Sequence, residues 1–299
     1  MKLSAFIVSL SFSFCVSAQT FSEKTTTASN VRLNVSNSGT FGNAFRGYRD
    51  GSGNPSGEYP AGSGVEHLFE SGIWFGGLIN GSTVAVSTAA VDAPQGYSTG
   101  SAGFEFYPEP GATLKEISSL RNSPYYNTSA VSHQDFVATF SDKNVKVPGT
   151  NTQIGSHLDP LFVQITAKSY NWNYSFSDFF VILDYELENI GTNTIDSAFF
   201  GLWANTVVRN INVTPAGSGG ASFYNKGGNG YFDSLQMAYC YDNAGDVGFT
   251  DSYVGQKFLG AEDKNGFHHP NNGSSFKANY NAWQFNSTTD PIYFQPTND

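Results

Sequence analysis

Few residues in this 299-residue chain have the type and spacing to do chemistry, so they are taken first. His67 and Glu70 form an H-x-x-E pair inside "EHLFESGIWFGGLINGSTVAVS", residues 66–87. On a helix that spacing presents two ligands or an acid/base pair to one side; on extended chain, i and i+3 point to opposite faces. Gly72, Trp74 and Phe75 argue against a helix, so His67 is read as a partly buried histidine bonded to backbone. His268-His269-Pro270 lies in a polar loop with no carboxylate or cysteine at a zinc-site spacing, and is read as loop decoration. Asp242, Asn243, Asp246 and Asp251, with Gly245 and Gly248, make an oxygen-rich loop of the kind that suits Ca²⁺. The EF-hand spacing is absent, and Asp and Asn are also ordinary turn residues. Calcium at those four residues is the one cofactor candidate; otherwise none is expected.

Two further sets remain. Asp184, Glu186 and Glu188 alternate along one segment. Carboxylates at i and i+2 of a strand sit about 6.5–7 Å apart at Cα, compatible with a glycosidase pair. They also form the polar side of a clean alternation, and a solvated face explains them. Tyr170, Trp172 and Tyr174 in "SYNWNYSF" offer either a sugar-stacking platform or core packing at a sheet corner. No G-x-S-x-G, H-E-x-x-H or P-loop occurs, so no catalytic residue is assigned and the chain is read as a non-enzyme.

The chain opens "MKLSAFIVSLSFSFCVSAQT": one positive residue, an apolar stretch from Leu3 to Val16, then small Ser17 and Ala18. That is a secretory signal peptide, residues 1–18, too short to act as a membrane anchor. Bulky Phe12 and Phe14 before Cys15 favour cleavage after Ala18 over lipidation. Of 15 basic residues the leader removes Lys2, leaving 14 against 25 acidic ones. An acidic exported chain is repelled by nucleic acid and by anionic membrane surfaces, so neither nucleic acid nor membrane insertion is expected. Cys240 is the single cysteine left, and inside "QMAYCYD" it reads as a small buried hydrophobe.

Charged residues make up 13% of the chain against an ordinary level of about 25%. Aromatics reach 15%, with 32 glycines, and no amphipathic helix lasts three turns. Many aromatics with Gly, Asn, Ser and Thr describe short strands and tight turns. The expected class is all-β: an antiparallel β-sandwich, one large or two stacked, with long Gly/Asn-rich loops.

The elements follow. Val31, Leu33 and Val35 alternate in one strand; residues 46–64 form a loop; and Asn80-Gly81 between apolar runs predicts a hairpin with strands near 72–79 and 82–88. A short helical turn is expected around Thr113 to Arg121, and a strand over "DFVATFSDKNVKV". "LFVQITAKSYNW" alternates Val163, Ile165 and Ala167 against Gln164, Thr166 and Lys168. "FFVILDYELEN" places Val181, Leu183, Tyr185 and Leu187 inward. After the turn "IGTNT", "IDSAFFGLWANTVV" is expected to run back as the third consecutive strand, buried on both sides. Residues 210–234 read as a glycine-rich loop, followed by strands in "LQMAYCYD" and "SYVGQKFLGAE". Regions 19–155 and 156–299 are the expected divisions of the mature chain.

By this point a family resemblance is visible. The phrases "FRGYRDGSG", "EHLFESGIWFGG", "SHQDFVATFSD", "SFSDFFVILDYELENIGTNTIDSAFFGLWANTVVRN", "GFTDSYVGQKFLGAE" and "YNAWQF" spread over nearly the whole mature chain. In them it resembles the large extracellular proteins of Bacteroidota exported by type IX secretion, which usually end in a C-terminal sorting domain. The resemblance implies an exported, surface-displayed or released β-rich protein and carries over no characterised activity. No sorting segment is seen at the end, so the expectation is a front portion of a longer chain or a shortened member.

Two functions are expected from different classes. The first is a secreted or cell-surface, structural or adhesin-like β-sandwich that works through interaction or assembly, with copies of itself or extracellular components as partners. The alternative is a carbohydrate-binding module or glycan-acting enzyme using the aromatic and acidic loops, with Tyr170, Trp172 and Tyr174 as the sugar platform.

Overall fold

The computed structural model describes residues 21–43, 55–90, 103–155, 157–213, 227–243, 249–270 and 278–280. The expected leader and the closing segment with Trp283 and Phe285 lie outside them. Among the described residues the regular structure is nearly all strand, as composition predicts, with one 3-10 turn at Asp233–Leu235. In order come β1 (Glu23–Thr25), β2 (Arg32–Ser36), β3 (Thr40–Phe41), β4 (Gly57–Glu58), β5 (Val65–Glu66), β6 (Glu70–Ile79) and β7 (Thr83–Thr88). Then follow β8 (Tyr107–Pro108), β9 (Lys115–Ile117), β10 (Gln134–Ser141), β11 (Val163–Asn171), β12 (Ile182–Asn189), β13 (Ile195–Asn205) and β14 (Arg209–Asn210). The last are β15 (Gly227–Phe232), β16 (Met237–Asp242), β17 (Tyr253–Lys257), β18 (Ala261–Asp263) and β19 (Gly266–His268).

One large sheet runs β13-β6-β3-β2-β4-β5-β14, with β1 on β2 and β7 on β6. A second runs β12-β11-β10-β8, with β9 on β10. The first draws strands from both sides of residue 155, since β13 pairs with β6 and β14 with β5. These two sheets share one core: Ile73 and Phe75 of β6 belong to the same buried cluster as Phe136, Ala138 and Phe140 of β10 and Val163 and Ile165 of β11. Full burial of Phe140 and Ile165 is worth roughly 1.5–3 kcal/mol each, and a one-residue register slip would turn both to solvent. The opposite face of the second sheet is polar, with Lys168 to Glu186 at 3.6 Å and the Tyr170 hydroxyl donating to Asp184 at 2.9 Å. A three-stranded sheet, β15-β16-β17, and the hairpin β18-β19 complete the described strands.

The Asn-Gly hairpin forms as expected. Asn80 and Gly81 both take positive φ, +49° and +71°, and the Ser82 amide bonds the Ile79 carbonyl at 3.2 Å. Gly77 faces the irregular pairing between Asp196 and Phe199 of β13. A Cβ there would meet Ile195 Cγ2 at 2.7 Å, so this glycine allows the close approach of a bulged partner. Gly81→Val puts a β-branched residue into the left-handed region and is expected to cost about 1–2 kcal/mol of unfolding free energy in urea titration. Unchanged stability would show that the turn does not need positive φ at 81.

Four expectations are corrected. The helical turn at Thr113–Arg121 is absent; β9 pairs there with Asp135–Val137 of β10, which uses its backbone groups and buries neighbouring Leu114, as a lone turn would not. "IDSAFFGLWANTVV" does not return alongside β12 and is not buried on both sides. Asn80 clips the intervening corner, its amide bonding the Thr194 carbonyl and its side chain bonding Asn193 and Thr194, so the chain crosses to the other sheet. There β13 is an edge strand, with Phe199 70% exposed. The loop expected over 46–64 contains β4, whose start is held by Glu66. The loop expected over 210–234 contains β15, a glycine strand stabilised by tyrosines across from it.

Candidate functional site

The aromatic segment Tyr170–Phe180 leaves the end of β11 and returns into β12. Its base is built from backbone donors and short polar side chains. Asp135 accepts the amides of Val131 at 2.7 Å and Ser132 at 2.8 Å, and the Ser132 hydroxyl lies against the same carboxylate. The Asn171 amide donates to the Ser132 hydroxyl at 2.8 Å, and the Asn173 amide to His133 Nδ1 at 3.2 Å. Ser132, His133 and Asp135 therefore hold a loop. They are not a catalytic triad, because the hydroxyl faces the acid and Nδ1 is occupied by a backbone amide. On the far side, Asn30 donates from its backbone and its side chain to Asp178, at 3.0 and 2.8 Å.

That frame splits the three expected platform residues. Tyr170 and Trp172 have ring centroids 6.2 Å apart, and Trp172 continues to Phe180 at 6.5 Å and thence to Phe179 at 5.4 Å. Tyr174 instead stacks on Phe176, centroids 5.3 Å apart and planes 7° from parallel, with His133 beneath it at 4.7 Å. Among the described residues no ring contact joins Trp172 to Tyr174. Phe176 is 73% exposed, and Tyr174 and Phe179 are also open to solvent. Burial and the Asp184 carboxylate push the Tyr170 phenol well above its ordinary range, so it stays a neutral donor. The arrangement offers ring faces for contact, with one hydrogen-bonded phenol at its edge. Phe176, Phe179 and Phe180 were missed as part of it, although the alternation of aromatic and polar residues from 170 to 176 was a usable signal.

Other expected residues are placed elsewhere. His67 is buried, its Nε2 2.6 Å from the Ser252 hydroxyl and its Nδ1 3.3 Å from the Gly57 carbonyl, the framework role expected. Desolvation pulls its pKa below the usual histidine value. Asp242 is buried against Arg209, Oδ1 to Nη1 3.4 Å, and its Oδ2 accepts the Thr250 amide at 3.2 Å. Asn243 and Asp251 are exposed, and Asp246 lies outside the described residues. Among the described residues, no three His, Cys, Asp or Glu side chains are grouped to hold a metal ion. Asp184, Glu186 and Glu188 are exposed, in line with a solvated face. Cys240 is buried, and burial raises its thiol pKa. His268 is not in a loop but ends β19, 2.9 Å from Asp263.

Against known proteins, no family model, curated protein or solved structure matches the chain. The site therefore stands on its own geometry.

Several buried carboxylates went unnoticed in the sequence. Glu66 accepts the amides of Ser56 at 3.1 Å and Gly57 at 2.7 Å; Glu58 accepts those of Gly62 and Gly64, both at 2.8 Å. Glu105 accepts from Thr88 and Gly103, and Asp142 from Ser87, Leu161 and Val163. Their local signal is nil, since each looks like an ordinary loop or strand-end acid. All four bind the chain's own donors.

Proposed function

We propose that this chain is an exported β-sandwich that acts at the cell surface or outside the cell by binding and assembly, and not by turnover. One observation carries the reading. The buried acids Glu58, Glu66, Glu105 and Asp142 are bonded to the protein's own backbone or hydroxyls, while Tyr174, Phe176 and Phe179 are held out to solvent on a braced loop. Exposed aromatics on a rigid support suit contact with a partner, because ring faces add area at small entropic loss. The leader-like start and the acidic balance favour an extracellular setting over nucleic acid.

The parallel Tyr174–Phe176 pair and the Tyr170–Trp172–Phe180 row favour a second reading, recognition of a saccharide by the same loop. A glycan microarray probed with the mature chain separates the two. Saccharide binding abolished by Trp172→Ala defeats the assembly reading. Particles or fibres in electron micrographs of native material, with no array signal that depends on Trp172, support it.

A further inference from the structure

The three-stranded sheet has one face unlike the sandwich. In register, Gly228 of β15 lies opposite Tyr241 of β16, which lies opposite Tyr253 of β17; Gly230 lies opposite Tyr239, which lies opposite Gly255. Alternation puts these six residues on one side. A Cβ on Gly228 would come within 2.5 Å of Tyr241 Cζ, and one on Gly230 within 2.6 Å of the Tyr239 hydroxyl. The outer half of each ring therefore rests on bare backbone. Tyr241 and Tyr253 have centroids 5.5 Å apart with planes 30° from parallel, and Tyr239 and Tyr241 are 6.2 Å apart at 27°.

We propose that this tyrosine strip is a binding platform for a neutral polysaccharide. A pyranose ring has apolar C–H faces rimmed by hydroxyls, which match ring faces edged by phenol groups. The glycine floor holds Tyr239 and Tyr241 in place, so little side-chain freedom is left to lose on binding. The six residues of the strip carry no charge, and Lys257 is the one charged residue that the register adds on the same side, while the chain has a formal net charge of −10; the overall charge disfavours an acidic glycan and leaves a neutral one unaffected. Glycine–tyrosine pairing also supports a sheet by itself. That role accounts for Tyr239 and Tyr241 but not for Tyr253, which lengthens the row away from the glycines and is 64% exposed. The inference depends on the export reading for where the glycan is met, and owes nothing to the loop at 172–180.

The test is affinity electrophoresis of the full chain in gels containing soluble β-glucan, xylan or galactomannan, with polygalacturonate as the acidic control. At least one neutral polymer is expected to retard the protein, and polygalacturonate to leave it unretarded. Tyr253→Ala is expected to weaken binding about tenfold at unchanged melting temperature, with Tyr253→Phe close to wild type. Trp172→Ala is expected to leave retardation intact. No retardation by any neutral polymer overturns the proposal. So does equal retardation by polygalacturonate, or binding that survives Tyr253→Ala and fails in Trp172→Ala.

Discussion

Asp142→Ala is expected to lower the free energy of unfolding by about 3 kcal/mol or more, among the largest effects of any single substitution here. The carboxylate is fully buried just past the end of β10. It accepts the Ser87 hydroxyl of β7 at 2.8 Å and, from the segment entering β11, the amides of Leu161 and Val163, each at 2.8 Å. One side chain thus joins the two large sheets. Removing it leaves three donors without their acceptor, and an unsatisfied buried donor costs roughly 1–3 kcal/mol. Burial raises the Asp142 pKa, so relief of a desolvated charge offsets part of the loss. Asp142→Asn keeps one acceptor oxygen and is expected to lie between wild type and alanine. Urea titration of the three proteins checks the order; an alanine variant within about 0.5 kcal/mol of wild type would refute the bridging role.

The second large effect concerns pH. Burial pushes the Glu66 carboxyl from 4.5 up to about 7, with Glu58 adding to the rise and the Ser56 and Gly57 amides opposing it. A proton is bound more tightly in the folded state than in the unfolded one. The contribution of Glu66 is therefore complete below pH 4.5 and is lost as pH rises through 7. Its size is on the order of 3 kcal/mol. The adjacent His67 works in the other direction: burial lowers its pKa below 6.5, so its contribution is present above 6.5 and lost on acidification. Wild-type stability alone would mix the two slopes. The difference between Glu66→Gln and wild type removes His67, and should move in favour of the variant by that amount between pH 4.5 and 8. A difference that stays constant across this range would place the folded-state pKa near its unfolded value.

Legibility in the sequence followed the range of the forces. The hairpin around Asn80-Gly81 was readable because positive φ is a property of the two residues themselves. The inward sets Val163, Ile165 and Ala167, and Leu183 and Tyr185, were readable because a strand alternates whatever its neighbour; Leu187, expected inward with them, is 40% exposed. The place of β13 was not. Ile195–Asn205 has apolar residues on both faces, which reads as a doubly buried strand, yet one edge and much of its surface are open. The partner is chosen by the corner at residues 190–194 and by Asn80, more than a hundred residues away in sequence.

The candidate sites divide the same way. Tyr170, Trp172 and Tyr174 could be singled out by type, but their separation into two ring groups depends on His133 and Phe180. The tyrosine strip was hidden because Gly228 and Gly230 looked like loop residues until β16 was laid beside them.

The sequence alone determined the all-β class, the alternation along β11 and the first half of β12, and the tight hairpin, since all three depend on side-chain type and φ within a few residues. Only the tertiary structure decided which sheet each strand joined, which acids were buried against backbone amides and which aromatics were left facing solvent. Those outcomes depend on donors and surfaces brought together from distant parts of the chain.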